Sequence, residues 1–444
     1  MFTLKELNFI SENNLSHNET LISNVAIDGR KIQPNGLYVP IKGANNDGHD
    51  FLQQAIQNGA VASLWENEVP IPNNAPKDFT FIQVQSTYHA FHQIATYYRE
   101  KVNPIVIGIT GSNGKTTTKD ILYTILSPSL ITHKTEGNLN NHYGVPLTLL
   151  SMPLNTEVAV IEMGMSGLRE IEELSTLSKP DYAIITNIGE SHLLQLKTRE
   201  NIAKAKLEIT SGLKNKSSLF YDGDEILLAG TEGTPLKFGL HSNEIQIIKQ
   251  TNNSISFSFS DDIYELPIIG KHHAKNAAYA ISIAKELGVK SENIKKHLFN
   301  IQVTGMRMEP FIGIKQSLLL NDAYNASPIS MKGAIKTIGD LTGYQNKILI
   351  LGDMLELGDN EEQLHRSIVS SINDTITHVF SMGEKSKWIH DEIKKTLPNI
   401  LSSHSFSHEE VAKQILPLLS ENTVVMAKAS RGMNLDKVIE LLKQ

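Results

Sequence analysis

Two spacings of apolar residues alternate along most of the chain. Short apolar runs rich in β-branched residues read as strands at 61–65, 79–84, 104–109, 157–161 and 181–185. Further runs at 37–41, 318–320, 348–351, 379–382 and 424–428 repeat the pattern. Between them, residues 51–60, 87–101, 119–126 and 274–287 place apolar side chains at helical spacing, and glycines close the first and last of these. A helix is expected after Pro328, and 217–269 reads as irregular β structure. Strands alternating with helices predict α/β architecture with largely parallel sheets covered on both faces. Asn103-Pro104 punctuates the pattern, so three domains are expected, at 1–102, 103–310 and 311–444.

The pattern changes character at Thr110-Gly111-Ser112-Asn113-Gly114-Lys115-Thr116-Thr117. A strand, a glycine loop, Lys-Thr and a helix make a phosphate cradle. The glycines let backbone N–H groups approach an oxyanion, Lys115 can reach the outer phosphates, and the Thr116 hydroxyl can ligate Mg²⁺. The usual first glycine of such loops is replaced by Ile109, with Gly108 and Gly111 on either side. An ordinary glycine turn is the competing reading.

Other candidate groups gain meaning from their place on this sheet. Glu162 and His192 both follow strands, so they fall on the same carboxyl edge as the loop, where ligands of such sheets sit. Glu162 is placed to ligate Mg²⁺, or is a solvated strand-end acid. A lone histidine is usually structural, and only the shared edge favours a role for His192. Lys204 and Lys206 lie on an expected helix, where lysines by default form a solvated face. Asn138, Asn140 and Asn141 form an amide-rich stretch suited to sugars and amides, or to a turn. Lys428, Ser430 and Arg431 follow a strand and could hold a carboxylate or phosphate, or cap a helix.

Composition narrows the field. The chain has 444 residues, 40% of them hydrophobic, which supplies several cores. A net charge of −7 without a basic block argues against nucleic-acid binding. The absence of cysteine excludes disulfides and thiol catalysis. No signal peptide and no membrane-spanning run is read, so a soluble cytoplasmic protein without membrane insertion is expected.

Taken together, the phosphate loop, Glu162-Met163-Gly164, Asn187-Ile188-Gly189-Glu190-Ser191-His192, Gly270-Lys271-His272 with Asn276, and Arg307 resemble the ATP-dependent Mur ligases of peptidoglycan synthesis. So do Asp322-Ala323-Tyr324-Asn325-Ala326-Ser327-Pro328 and Leu351-Gly352-Asp353-Met354-Leu355-Glu356-Leu357-Gly358, so the resemblance covers essentially the whole chain. Asp322-Ala323-Tyr324-Asn325-Ala326 resembles the branch that adds D-alanyl-D-alanine, and the Asp-Asn-Pro-Arg motif of the diaminopimelate-adding branch is absent. Arg169 stands where many relatives carry glycine.

The resemblance implies an N-terminal α/β domain holding a UDP-sugar, a central P-loop-type ATP-binding domain and a Rossmann-like C-terminal ligase domain. UDP-N-acetylmuramoyl-tripeptide and D-alanyl-D-alanine would be the substrates, joined through an acyl phosphate by a monomer. It also implies two Mg²⁺ ions, with Thr116 and Glu162 on one and His192 helping to hold the other. Lys206 matches a carbamylated lysine, with Lys204 as its rival. Asn276 would contact adenine, Arg307 the phosphates and Asp322 the ribose. The alternatives are a third-residue Mur ligase, a folylpolyglutamate synthase and a nucleotide-binding switch without ligase chemistry.

Overall fold

The computed structural model describes residues 1–241 and 243–444. Three parallel or mostly parallel sheets follow one another along the chain. The first has four parallel strands in the order Asn24–Ala26, Gly36–Tyr38, Ala60–Glu66, Thr80–Val84. The helix Thr87–Val102 leads out of it and stops at Asn103, which takes the left-handed conformation (φ +52°) that ends many helices.

The central sheet has six parallel strands in the order Thr234–Leu236, Leu219–Asp222, Tyr182–Ile185, Ile105–Thr110, Val158–Glu162, Thr132–Lys134. Its first strand in sequence, Ile105–Thr110, lies in the interior, and the chain crosses from it to both sides. That opens a crevice at its carboxyl end, flanked by the ends of Val158–Glu162 and Tyr182–Ile185. A small antiparallel sheet, Gln246–Gln250, Ile255–Phe259, Asp262–Leu266, follows, and then the helix His272–Glu286.

The third sheet runs Glu309–Ile312, Leu318–Asn321, Thr423–Lys428, Asn346–Gly352, His378–Met382, Leu401–Ser405, and only its first edge strand is antiparallel. That edge strand straddles position 310, where the sequence pattern divides the chain. Successive residues of its interior strands alternate between two cores. Leu320, Leu349, Val424 and Met426 enter one, while Leu319, Ile348, Ile350 and Val425 enter the other.

The joints between these units differ in kind. One buried apolar cluster runs without a break from Phe2, Leu37, Phe91 and Tyr98 of the first unit to Leu149, Met163, Ile171 and Ile209 of the central one. Buried Arg99 also crosses this joint, donating to the carbonyls of Ser178 (2.8 Å) and Lys179 (3.0 Å). Ile269, with Met308 close to the boundary, enters the core of the third unit. Otherwise the two meet through polar pairs such as Asn252 Nδ2 to the Thr342 carbonyl at 2.7 Å and Lys271–Asp340 at 3.3 Å.

Most expected elements form within a few residues of their sequence limits. The helix after the phosphate loop differs. The apolar spacing places its start at 119, but it begins at Lys115 and includes Thr116, Thr117 and Thr118. Gly114 (φ +83°) turns the chain straight into the first helical turn, and tertiary packing overrides the weak helix preference of three successive threonines. The strand expected over 37–41 is only Gly36–Tyr38, because the chain must leave the sheet before Pro40.

Candidate active site

The loop 110–114 is stitched to the neighbouring strand end. Ser112 N–H donates to the Asn187 carbonyl (3.1 Å), Asn113 N–H donates to Asn187 Oδ1 (3.0 Å), and Thr186 Oγ1 donates to the Asn113 carbonyl (2.5 Å). Ser112 Oγ accepts from Gly189 N–H at 2.8 Å. Two positions admit only glycine. At Gly111 (φ +146°) a Cβ would lie 1.8 Å from Thr186 Oγ1, and at Gly114 it would lie 2.8 Å from Asn276 Oδ1. Asn276, one helix away, therefore closes against the loop, and its amide reaches His273 Nδ1 at 3.3 Å. Thr110 and Thr117 are buried beneath the loop.

Lys115 and Thr116 open the helix with opposite surroundings. Lys115 Nζ donates to the Gly111 carbonyl at 2.7 Å, and burial pushes its ammonium below the usual lysine range against the opposing pull of Glu162. Thr116 Oγ1 donates to Glu162 Oε2 at 2.8 Å and accepts from Arg307 Nη2 at 2.8 Å. Glu162 is 2% exposed, and its other oxygen accepts from Asn140 Nδ2 at 2.8 Å. A hydroxyl and a buried carboxylate thus face one point at the strand ends. Among the described residues no group of three or more His, Cys, Asp or Glu gathers. A cation at this hydroxyl and carboxylate would take its remaining ligands from phosphate and water, which suits Mg²⁺.

His192 and Lys206 lie near Lys115, close enough for their charges to act on one another. His192 (φ +60°) donates from Nδ1 to Glu356 Oε2 of the third unit at 2.8 Å. Burial lowers its pKa, opposed first by Glu356. Lys206 lies on the buried face of the helix Arg199–Leu207 and is 2% exposed, whereas Lys204 is exposed. Among the described residues no carboxylate lies within ion-pair distance of the Lys206 amine. Burial, with Lys115 adding to it, holds that amine well below the usual lysine range.

Arg307 arrives by a strained turn. Met306 (φ +60°) and Met308 (φ +52°) flank it in the left-handed region, a cost of about 1 kcal/mol or more each. The turn is tied down at both ends. Buried Asp120 accepts from Thr304 N–H (2.9 Å) and Oγ1 (2.7 Å), and Asp322 Oδ1 accepts from Met308 N–H (3.2 Å). The guanidinium lies 4.1 Å above the Tyr324 ring, and its Nε is buried without a partner. Asp322 Oδ2 pairs with Lys428 Nζ at 2.7 Å, and Asn113 Nδ2 donates to Ser327 Oγ of the third unit at 3.3 Å.

The remaining candidates have other partners. Asn141 Oδ1 accepts from Tyr143 and Gly144 N–H and so starts the helix Gly144–Leu150, while exposed Asn138 receives Asn140 N–H at its carbonyl. Lys428 is occupied by Asp322 and the Asn325 carbonyl, and Ser430 Oγ accepts from Leu355 N–H. Arg431 is exposed, paired with Asp436 at 3.2 Å and touching Met306 Sδ. Arg169, at the position where glycine is common in relatives, adopts φ +71° and donates its N–H to Glu208 Oε1 at 2.8 Å.

Two groups escaped the sequence reading. Lys119 is 1% exposed and stands 4.0 Å from Glu162 Oε2, and its signal was its spacing of four residues from Lys115 on one helix face. Glu356 lies 164 residues from the histidine it contacts, and no local pattern links them.

The chain matches known proteins over nearly its whole length. The Mur ligase family catalytic domain matches residues 21–99, the Mur ligase middle domain 109–284, and the Mur ligase glutamate ligase domain 306–431. The UDP-N-acetylmuramoyl-tripeptide–D-alanyl-D-alanine ligase of Bacillus subtilis is 42% identical over 434 residues, covering 96% of this chain and 94% of that protein. Among solved structures, MurF from Acinetobacter baumannii superposes with a TM-score of 0.87 at 26% identity, covering 99% of this chain and 98% of the other. MurF ligase from Thermotoga maritima in complex with ADP gives 0.83 at 25% identity, over 96% and 98%.

Proposed function

The chain belongs to the Mur ligase family, and from that premise we propose that it joins D-alanyl-D-alanine to UDP-N-acetylmuramoyl-tripeptide at the expense of ATP, releasing ADP and phosphate. One observation carries the chemistry. A half-buried lysine, a hydroxyl–carboxylate pair and an arginine from beyond the central sheet converge on the carboxyl edge of one parallel sheet.

A carboxylate is a poor acyl donor, so its oxygen must first be made a leaving group. The terminal carboxylate of the tripeptide attacks the γ-phosphorus of ATP, forming the acyl phosphate as ADP departs. The dipeptide amine then adds to the acyl carbon, and phosphate leaves as the amide forms. Lys115 exchanges its bond to the Gly111 carbonyl for the outer phosphate oxygens and offsets the charge that develops there. Arg307 lies against Thr116 with a free Nε, which supports its assignment to the phosphates. Asn276 beside Gly114 is assigned to the adenine end, and Asp322 to the ribose. The unpaired backbone amides that open the helix Lys115–Leu126 supply the rest of the cradle.

Thr116 and Glu162 are the residues that would hold one Mg²⁺, with Asn140 and Lys119 orienting the carboxylate. His192 Nε2 and a carbamylated Lys206 would hold the second. Bound there, the ions neutralise phosphate charge and let two anionic substrates meet. CO₂ reacts with a neutral amine, and burial favours that form at Lys206, while exposed Lys204 lacks this advantage. Of the trio 428, 430 and 431, Arg431 keeps an exposed cation beside the Arg307 turn, and the dipeptide carboxylate is assigned to it.

We take residues 1–102 as the UDP-sugar domain, 103–310 as the ATP domain and 311–444 as the ligase domain. We take the chain to work as a monomer. No helix among the described residues is long and apolar enough to cross a membrane, and dependence on ATP supports work in the cytoplasm. The test supplies ATP, Mg²⁺ and UDP-N-acetylmuramoyl-tripeptide with either D-alanyl-D-alanine or a single amino acid. Phosphate release is expected with the dipeptide, and release with the single amino acid alone would overturn the assignment.

A further inference from the structure

The stretch 352–358 has no part in the chemistry above, yet it is firmly braced at the seam between the central and third units. Met354 N–H donates to His365 Nε2 (3.0 Å), and His365 Nδ1 donates to the Glu361 carbonyl (2.7 Å), so that buried ring is neutral and its tautomer is set. Leu355 N–H donates to Ser430 Oγ (2.9 Å), and Ser430 N–H donates to the Asp353 carbonyl (3.0 Å). Asp353 Oδ1 accepts from the N–H groups of Lys385 (3.1 Å) and Ser386 (2.7 Å).

From this base Glu356 projects to the central unit. Its carboxylate accepts from His192 Nδ1 at 2.8 Å, and its carbonyl accepts from Leu194 N–H at 2.9 Å. Both Glu356 (φ +62°) and His192 (φ +60°) occupy the left-handed region, which non-glycine residues enter at a cost. Gly358 (φ +70°) lets the loop lie close. A Cβ there would sit 3.4 Å from Leu194 Cα. Two strained backbones thus meet across the seam at a single pair of side chains. The Glu356 side chain is 51% exposed, so this arrangement serves no core.

We propose that Glu356 is a positioning residue that acts through His192, so that docking of the third unit completes the metal site of the central one. The inference rests on the reading of His192 as a metal ligand. A neutral imidazole without a partner divides between two tautomers. A carboxylate on Nδ1–H selects one of them, keeps the lone pair on Nε2 and strengthens that nitrogen as a donor. Among the described residues Nε2 makes no hydrogen bond, so it is the nitrogen left to bind. Because the carboxylate comes from another unit, His192 is held for its task only while the third unit is docked. ATP bound to an undocked enzyme would therefore meet an incomplete site.

The experiment compares the native chain with Glu356→Ala and Glu356→Gln. The side chain is half exposed and the glutamine is isosteric, so folding is not at stake. Metal-free protein labelled with ¹⁵N-histidine is read by NMR, and His192 is assigned by its loss in His192→Gln. The native ring is expected in the Nδ1–H form, and Glu356→Ala is expected to show averaged tautomers. The Mg²⁺ concentration for half-maximal phosphate release should rise about tenfold or more in Glu356→Ala. Glu356→Gln, which still offers an acceptor, should fall between, and the KM for the UDP-tripeptide should stay within about twofold in both variants. An unchanged imidazole spectrum in Glu356→Ala overturns the proposal. A changed spectrum with an unmoved Mg²⁺ dependence also overturns it, and places the failure in the metal role of His192 rather than in the contact.

Discussion

The two seams of this molecule are built from different materials. The first unit joins the central sheet through one continuous apolar core, with Phe91, Tyr98 and Leu149 wholly or almost wholly buried in it. The third unit keeps its own cores on both faces of its sheet and reaches the centre through Ile269 and a few polar contacts. Buried apolar side chains stabilise by about 1.5–3 kcal/mol each and cannot separate without exposing them to water. Half-exposed ion pairs contribute about 0–1 kcal/mol each and exchange readily with water. The first two units therefore form one rigid floor, and the third is a separable part that brings Asp322 and Glu356 to it, with Arg307 on the segment that joins the two. A ligase that must admit two substrates and then exclude water needs one joint that holds and one that yields.

The sharpest test removes a cation from the floor. Lys115→Ala should lower phosphate release about 10³-fold or more, while UDP-sugar affinity measured by calorimetry stays within about twofold. Equal loss of both would show that the floor does not divide its tasks in this way. Next comes the apolar seam. Leu149→Ala should cost about 3 kcal/mol and lower a single calorimetric transition shared by the first and central units. Two separated transitions would break the comparison. Lys206→Ala should reduce activity about 10²-fold, with partial recovery in added short carboxylates, whereas Lys204→Ala should be near neutral. Full activity in Lys206→Ala would remove the carbamate assignment.

The smallest effect belongs to the polar seam. Lys271→Ala should change stability by no more than about 0.5 kcal/mol, because Lys271 and Asp340 are half and one-third exposed at 3.3 Å. The chain has no cysteine, so dyes can be placed at will. A pair at Lys216→Cys and Lys395→Cys should change its energy transfer when nucleotide and UDP-tripeptide bind, and a pair at Lys77→Cys and Lys216→Cys should not. The opposite result would exchange the roles of the two seams.

What was legible in the sequence was mostly what is local. The phosphate loop, the strand-end position of Glu162 and the parallel sheets follow from spacing, glycine and alternation within a few tens of residues. The choice between Lys204 and Lys206 was not local. Two residues along a helix turn a side chain about 200°, and only packing decides which face is inward. Asn141 illustrates the reverse case, because an amide-rich stretch suited to ligands also suits a helix start, and that is how its side chain is used. Arg307 was legible only through resemblance. Its place depends on two strained methionines and on Asp120, which lies 184 residues from Thr304. The unequal seams were not legible at all, since an apolar residue in sequence does not say which unit's core it enters.

The fit of Gly111 against Thr186 reaches beyond the single molecule. A side chain at 111 would meet the threonine hydroxyl at 1.8 Å, and that hydroxyl also secures the Asn113 carbonyl. Trimming Thr186 to alanine would make room but release the loop, and would still leave a φ of +146° that only glycine tolerates. No single substitution at 111, and no exchange between the two positions, leads to another working loop. In a descending lineage Gly111 is held by its neighbour and by its own backbone at once, while an exposed strand-start position such as Ile105 remains free to drift.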